Sequence, residues 1–241
     1  MKKIITLNEH DIHQIVKDLL AEARQPKHVY YDYYDIIAPH MKDLSGTDEF
    51  YFVQAIKRKK DQIHANFNYA MYLGYWKVKN AAELKAIKPD YMALSKKENA
   101  RIYIRLNPRN EAFINNDIQN AVKVRNLSQR DQEILFQKLA GRKFDGRRFT
   151  KQFPITMVDI DTANQKAQEV ILDYIKKQGV NVMFTYKTPN GGMHVLCDGR
   201  DVVNVDFSIF DSGKHLGHQA TAAAVIDGAT NLFGDITVLG Y

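Results

Sequence analysis

Apolar positions recur along the chain in two periods, and the changes of period mark where helices give way to strands. After Asn8, a fitting N-cap, Ile12, Ile15, Val16, Leu19 and Leu20 fall on one helical face, which predicts a first helix ending before Pro26. The aromatic run Tyr30-Tyr31-Asp32-Tyr33-Tyr34 follows. It suits buried helix or a surface on which bases stack, with core packing the better supported. Glu49 to Ile56 and Ala70 to Val78 are rich in aromatic and β-branched residues and read as strands. The charged run Lys57-Arg58-Lys59-Lys60-Asp61 between them reads as a solvated loop end, with phosphate contact as its functional alternative. From Arg101 to Leu106 the pattern has period two, with Ile102, Ile104 and Leu106 on one face and Arg101, Tyr103 and Arg105 on the other. That predicts a half-buried strand ended by Asn107-Pro108-Arg109. Residues 111–140 read as helix, and the basic, Gly-containing stretch Gly141 to Arg148 as the loop joining two halves.

The second half opens with Ile155-Thr156-Met157-Val158-Asp159-Ile160-Asp161, a strand, followed by a helix in which Ala167, Val170, Ile171, Tyr174 and Ile175 share a face and Gly179 is the stop. Val180 to Tyr186 alternates, Thr188-Pro189-Asn190-Gly191-Gly192 is a turn, Met193 to Cys197 returns as a strand, and Val202 to Ile209 makes one more. The order predicts an α+β fold with a helix on one face of a sheet. The expected organisation is one composite domain, residues 1–150 forming its first half and 151–241 its second. The Gly- and Ala-rich stretch from Asp211 to Tyr241 is not placed by its pattern.

The 241 residues are 45% hydrophobic and 26% charged, an ordinary globular balance with enough chain to bury a core. No apolar run reaches bilayer-spanning length, and Met1-Lys2-Lys3-Ile4-Ile5 lacks a signal-peptide core, so the expectation is a cytoplasmic protein with no membrane partner. The single cysteine, Cys197, excludes an internal disulfide framework and a cysteine-rich zinc site. Any metal ligands are then carboxylates. A net charge of +6 and a pI near 9.1 suit a polyanionic partner.

Asp159 and Asp161 lie two apart in a predicted strand, so both carboxylates point one way and repel unless a cation sits between them. Hard ions such as Mg²⁺ or Mn²⁺ take oxygen ligands and promote phosphoryl transfer. The competing interpretation is a strand end at which Asp161 caps the next helix. Downstream, Gly191 and Gly192 allow backbone N–H groups close to a phosphate, His194 can donate to the same anion, and Lys187 adds charge. An ordinary hairpin with a nearby histidine explains them as well. Asp206 is a candidate third acid if its strand neighbours the first, with Asp198 and Asp211 as rivals.

Asp159-Ile160-Asp161, Asn190-Gly191-Gly192-Met193-His194 and Val205-Asp206 resemble, in order and type, the three motifs of the archaeo-eukaryotic primase, or PrimPol, superfamily. Tyr103 to Arg109, ending in Asn-Pro-Arg, is similar to a strand of its plasmid and phage members. The resemblance covers about residues 50 to 207 and has the look of a phage-encoded branch, which would place the protein in a bacterial host cytoplasm. It implies an N-terminal α/β half packed on an RRM-like antiparallel half, with the active-site groove between them. Asp159, Asp161 and Asp206 would bind Mg²⁺ or Mn²⁺, and His194 would hold the triphosphate. Lys187, Asn190, Gly191, Gly192, Arg105 and Arg109 would contact substrate. The implied activity is nucleotidyl transfer of the primase-polymerase type. Its partners would be nucleoside triphosphates, a single-stranded DNA or RNA template and other replication proteins. Two further readings stay open: an enzyme that hydrolyses or transfers a small nucleotide on the same fold, and a non-catalytic phage protein that binds single strands.

Overall fold

Strand β4 (Arg101–Asn110) organises the first sheet, because its residues are buried on both faces. The computed structural model describes residues 26–62, 70–141, 155–189, 191–199, 205–206, 222–225 and 230–239. The predicted first helix, the loop from Arg142 to Arg148, Asn190 and Asp211 lie outside them. With β1 (Pro26–Asp32), β2 (Glu49–Lys57), β3 (Met71–Val78) and β9 (Thr230–Leu239), β4 makes an antiparallel sheet in the order β1-β9-β4-β2-β3. Its central place corrects the half-buried expectation, since Arg101 and Tyr103 are buried along with Ile102 and Ile104. Nor does the strand end at Asn107. Pro108 is tolerated where the register of β4 against β2 shifts between Phe50 and Phe52, because a proline lacking an amide fits at an irregularity.

Tyr30-Tyr31-Asp32 belongs to edge strand β1 rather than to a helix, with Tyr31 buried and Tyr30 exposed. A short helix, α1 (Tyr34–Ile37), follows it. Helices α2 (Ala81–Ala86) and α3 (Lys88–Glu98) pack Leu84 and Tyr91 into the core with Val53, Ile102, Ile104 and Phe233. The expected helix over 111–140 is two, α4 (Glu111–Arg125) and α5 (Gln129–Ala140). Asn126 takes a left-handed φ of 48° that ends the first, and the Ser128 side chain caps the second by accepting from the Asp131 amide at 3.2 Å. Both cover Phe50 and Phe52 with Ile114, Ile118 and Phe136.

The second sheet has the order β6-β7-β5-β8, built from β5 (Ile155–Ile160), β6 (Val182–Lys187), β7 (Met193–Asp198) and β8 (Ala222–Val225). Helix α6 (Gln165–Lys177) lays Ile171 and Ile175 on Val158, Ile160, Val195 and Cys197. Val170, expected on that face, is exposed, and Gln168 is buried in the stripe instead. Gly179, at φ +77°, ends the helix as its position predicts. The fold is α+β, and among the described residues no helix is long and apolar enough to cross a membrane.

The last stretch of chain contributes β8 beside β5 and then returns to the first sheet, where β9 inserts between β1 and β4. A division at residue 150 therefore does not follow the sheets. Met157, Tyr186 and Leu196 of the second sheet share one core with Ile102, Ile104, Leu232 and Phe233 of the first. Of the predicted strand from Val202 to Ile209, only residues 205 and 206 are described, and neither is in a strand.

Candidate active site

Alternation along β5 sends Val158 and Ile160 to helix α6 and Met157 to the core shared by the two sheets, so Asp159 points to the same side as Met157. On β7, Val195 and Cys197 face α6 while Leu196 enters the shared core, and His194 is on the Leu196 side. The antiparallel register pairs Asp159 with His194, which sets the two side chains next to each other. His194 Nε2 lies 3.2 Å from Asp159 Oδ1. The histidine is 7% exposed, whereas the Asp159 side chain is 35% exposed. The pair thus has a buried side and an open side, and the carboxylate is the part a ligand can reach.

His194 Nδ1 is 2.6 Å from the Tyr186 hydroxyl, and the Asn231 amide of β9 donates to that hydroxyl at 2.9 Å. The Tyr33 ring lies 4.5 Å from that of Tyr186, and the Tyr33 hydroxyl donates to the Lys187 carbonyl. Burial pushes the Tyr186 phenol well above its ordinary value, the Asn231 amide pulling the other way. The phenol therefore stays protonated across the physiological range.

Asp161 stands exposed just past the end of β5. The glycine turn lies against it. Thr188 N–H donates to Gly192 O at 2.8 Å, and Gly191 N–H to Thr188 O at 2.9 Å, with Gly191 at φ +85°. A Cβ on Gly192 would lie 2.6 Å from Ile160 O and 3.5 Å from Asp161 Cα, so only glycine lets the turn sit this close to the acidic strand end. Both glycines thus have a packing reason to be there, and the Gly191 amide is spent within the turn.

Gln168 is the residue the sequence reading missed. Its Nε2 donates to Thr162 O at 2.5 Å and Gly191 O at 2.7 Å, and its Oε1 accepts from Lys187 Nζ. One buried amide thereby ties the loop after Asp161, the glycine turn and Lys187 together. The available signal was an amide on the otherwise apolar stripe of Ala167, Ile171 and Ile175. Tyr186 was missed too, because its partner is made by strand register rather than by sequence proximity.

Arg105, Arg109, Asp206 and Asp198 lie apart from this pair or donate and accept elsewhere. Arg109 is 1% exposed, its Nε donating to Ala140 O at 2.6 Å and Nη1 to Asn107 O at 2.7 Å. Arg105 Nη2 donates to Gly141 O at 2.7 Å. Their cross-strand neighbours Phe50 and Phe52 lie under helices α4 and α5. Both guanidinium groups donate to carbonyls at the end of α5, where cations suit the helix dipole.

Asp206 is exposed, its carbonyl accepts from Tyr174 of α6 at 3.1 Å, and Val205 packs into the cluster beneath that helix. That places the segment on the α6 side of the sheet, away from Asp159. Asp198 pairs with Ile155, four residues from Asp159 along β5, a separation of roughly 13 Å that one ion does not bridge. It lines instead a cavity of about 390 Å³ together with Lys42, Tyr51, Asn107, Asn181 and Met183. Among the described residues no three His, Cys, Asp or Glu side chains are grouped to hold a metal ion. No family model, curated protein or solved structure matches the chain.

Proposed function

We propose that the protein is a metal-dependent nucleotidyltransferase of the primase-polymerase type, joining nucleotides on a single-stranded DNA or RNA template. The observation that carries the proposal is the cross-strand pair of Asp159 and His194, with the exposed Asp161 and the glycine turn beside it. The β-α-β-β order of β5, α6, β6 and β7, with β8 added beside β5, supports the RRM-like description of this half.

Mg²⁺ or Mn²⁺ fits the donor set, because such ions are commonly held by one or two carboxylates, with water and substrate phosphate completing the shell. Asp159 and Asp161 would hold the ion. When bound, it would neutralise phosphate charge and activate the attacking oxygen. The chain's own part is positioning: β5 and β7 fix Asp159 beside His194, Gln168 fixes the turn, and Lys187 places a cation at its edge. The buried His194 holds its Nε2 3.2 Å from Asp159 Oδ1, so an incoming phosphate oxygen would reach it only where that carboxylate turns away.

Arg109 is buried and Arg105 half-buried, each donating to a carbonyl at the end of α5, and this favours, as a second reading, an enzyme that transfers or hydrolyses a small nucleotide at the same site. The deciding experiment is nucleotide incorporation on a primed single-stranded template with Mn²⁺, with release of phosphate or pyrophosphate from free triphosphate measured beside it. Template-dependent incorporation supports the first reading, and release without incorporation supports the second. Neither, in a protein that also shows no Mn²⁺-dependent nucleotide binding, would overturn both.

A further inference from the structure

We infer that Tyr186 is a positioning residue: it keeps His194 Nδ1 as an acceptor, so that the ring carries its proton on Nε2 and aims that N–H at Asp159. The argument is an assignment of protons along a buried chain of three links. The Asn231 amide can only donate, so the Tyr186 oxygen is its acceptor at 2.9 Å. The Tyr186 proton needs an acceptor, because a buried hydroxyl without one carries the full desolvation cost. The hydroxyl's other described contact is His194 Nδ1 at 2.6 Å. Asn231 Oδ1, the other buried acceptor on that residue, has no hydrogen-bond partner among the described residues, so the phenol does not reach it.

Nδ1 therefore accepts, and a neutral ring then carries its proton on Nε2, which lies 3.2 Å from Asp159 Oδ1. Every group in the chain has one role, and reversing the His194 tautomer would face two donors at Tyr186 and two acceptors at Asp159. The Tyr186 ring is itself held by Tyr33, 4.5 Å away, and by the edge contact with His194 at 5.0 Å. Strand β9, from the far end of the chain, thus sets the proton position at the centre of the second sheet. Tyr186 acts through His194 and does not touch a ligand itself.

The tautomer claim stands on geometry alone; its consequence for nucleotide binding rests on the reading of the site given above. The first test is the ¹⁵N spectrum of the His194 ring in the wild-type chain, labelled at histidine, assigned with His194→Ala and recorded at several pH values from neutral upward. A protonated Nε2 with an accepting Nδ1 is expected. A proton on Nδ1, or on both nitrogens, overturns the proposal without the need for a Tyr186 variant to fold.

The second test is a double-mutant cycle on Mn²⁺–triphosphate affinity. Tyr186→Phe should weaken binding about three- to tenfold, the size of one neutral hydrogen bond, and should have no further effect in a His194→Ala background. Equal losses in both backgrounds would make Tyr186 merely structural. If the wild type binds no triphosphate, the functional reading fails and the ring spectrum alone decides the role of Tyr186.

Discussion

Asp159 and His194 sit directly opposite each other on β5 and β7, with Nε2 and Oδ1 3.2 Å apart and the carboxylate turned to the open side. Asp159→Asn keeps an oxygen for the histidine N–H to reach and removes the charge a cation needs. Because the carboxylate is partly exposed, the substitution should cost less than about 1 kcal/mol of stability. Wild type at a Mn²⁺ and triphosphate concentration one hundred times the dissociation constant should gain about 2.7 kcal/mol against unfolding. Asp159→Asn should gain almost none. Thermal melts with and without Mn²⁺ and nucleotide check this, and an undiminished shift would remove Asp159 from the site.

Gly192→Ala should destabilise the protein by about 1–3 kcal/mol, because the new methyl meets the Ile160 carbonyl at 2.6 Å and Thr188 Oγ1 at 3.0 Å. The only relief is to push the turn away from Ile160 and Asp161. Mn²⁺-dependent nucleotide binding should therefore fall along with stability. Gly74→Ala is the control, since its added carbon meets Leu94 at an ordinary 3.7 Å. Urea midpoints and nucleotide titrations on both variants test the contrast, and equal behaviour would show that the close approach carries no strain.

The tyrosines make alkaline stability predictable. Burial raises the phenols of Tyr31, Tyr91 and Tyr186 above their ordinary value. Below about pH 10 the folded and unfolded chains both keep these protons, so their contribution is fully present. Above it the unfolded chain releases protons that the folded chain retains, and stability falls as pH rises toward the raised values, by up to about 1.4 kcal/mol per pH unit for each group. The Tyr31 hydroxyl also has no hydrogen-bond partner among the described residues. Tyr31→Phe should leave stability at neutral pH unchanged or higher and make the alkaline decline shallower. Urea midpoints at several pH values from neutral upward decide it, and a steeper decline in the variant would sink the argument.

Local pattern carried most of the elements and one side of the site. Period-two alternation put Asp159 opposite Val158 and Ile160, and the turn residues put His194 at the start of the returning strand, so the pair follows from two short stretches and one hairpin. What local pattern lacks is sheet order. Nothing in Asn-Pro-Arg tells that β9 will pair with β4 or that helices α4 and α5 will cover the region where Arg105 and Arg109 lie, which is why the two read as phosphate ligands while they donate to carbonyls at the end of a helix. The partner of Tyr186 is Asn231, and the link between them exists only once the chain's last strand has crossed to the first sheet.

Asp61 is the sharpest instance of that limit, and it yields the last prediction. It closes a run of charges that reads as solvated, yet it is buried, with Arg101 Nε and Nη2 donating to its two carboxylate oxygens at 2.6 Å each. Burial alone would lower the Arg101 pKa, but the hydrogen bonds that Arg101 donates to Asp61, together with its charge interactions with Tyr103, Asp61 and Tyr31, outweigh it and the guanidinium is held charged more firmly than usual. Removing one partner leaves an uncompensated charge out of water, so Asp61→Ala should cost about 3–5 kcal/mol. Replacing both by apolar residues of similar size, Asp61→Leu with Arg101→Met, should recover much of that loss, because desolvation then no longer has to be offset. The single variants should therefore be worse than the double. Urea unfolding of Asp61→Ala, and of Asp61→Leu, Arg101→Met and the variant that carries the last two together, with slopes compared to verify a common unfolded state, measures the loss and the coupling. Additive losses would mean that the pair is solvated in the folded protein, and that the run from Lys57 to Asp61 is the loop end its charges suggested.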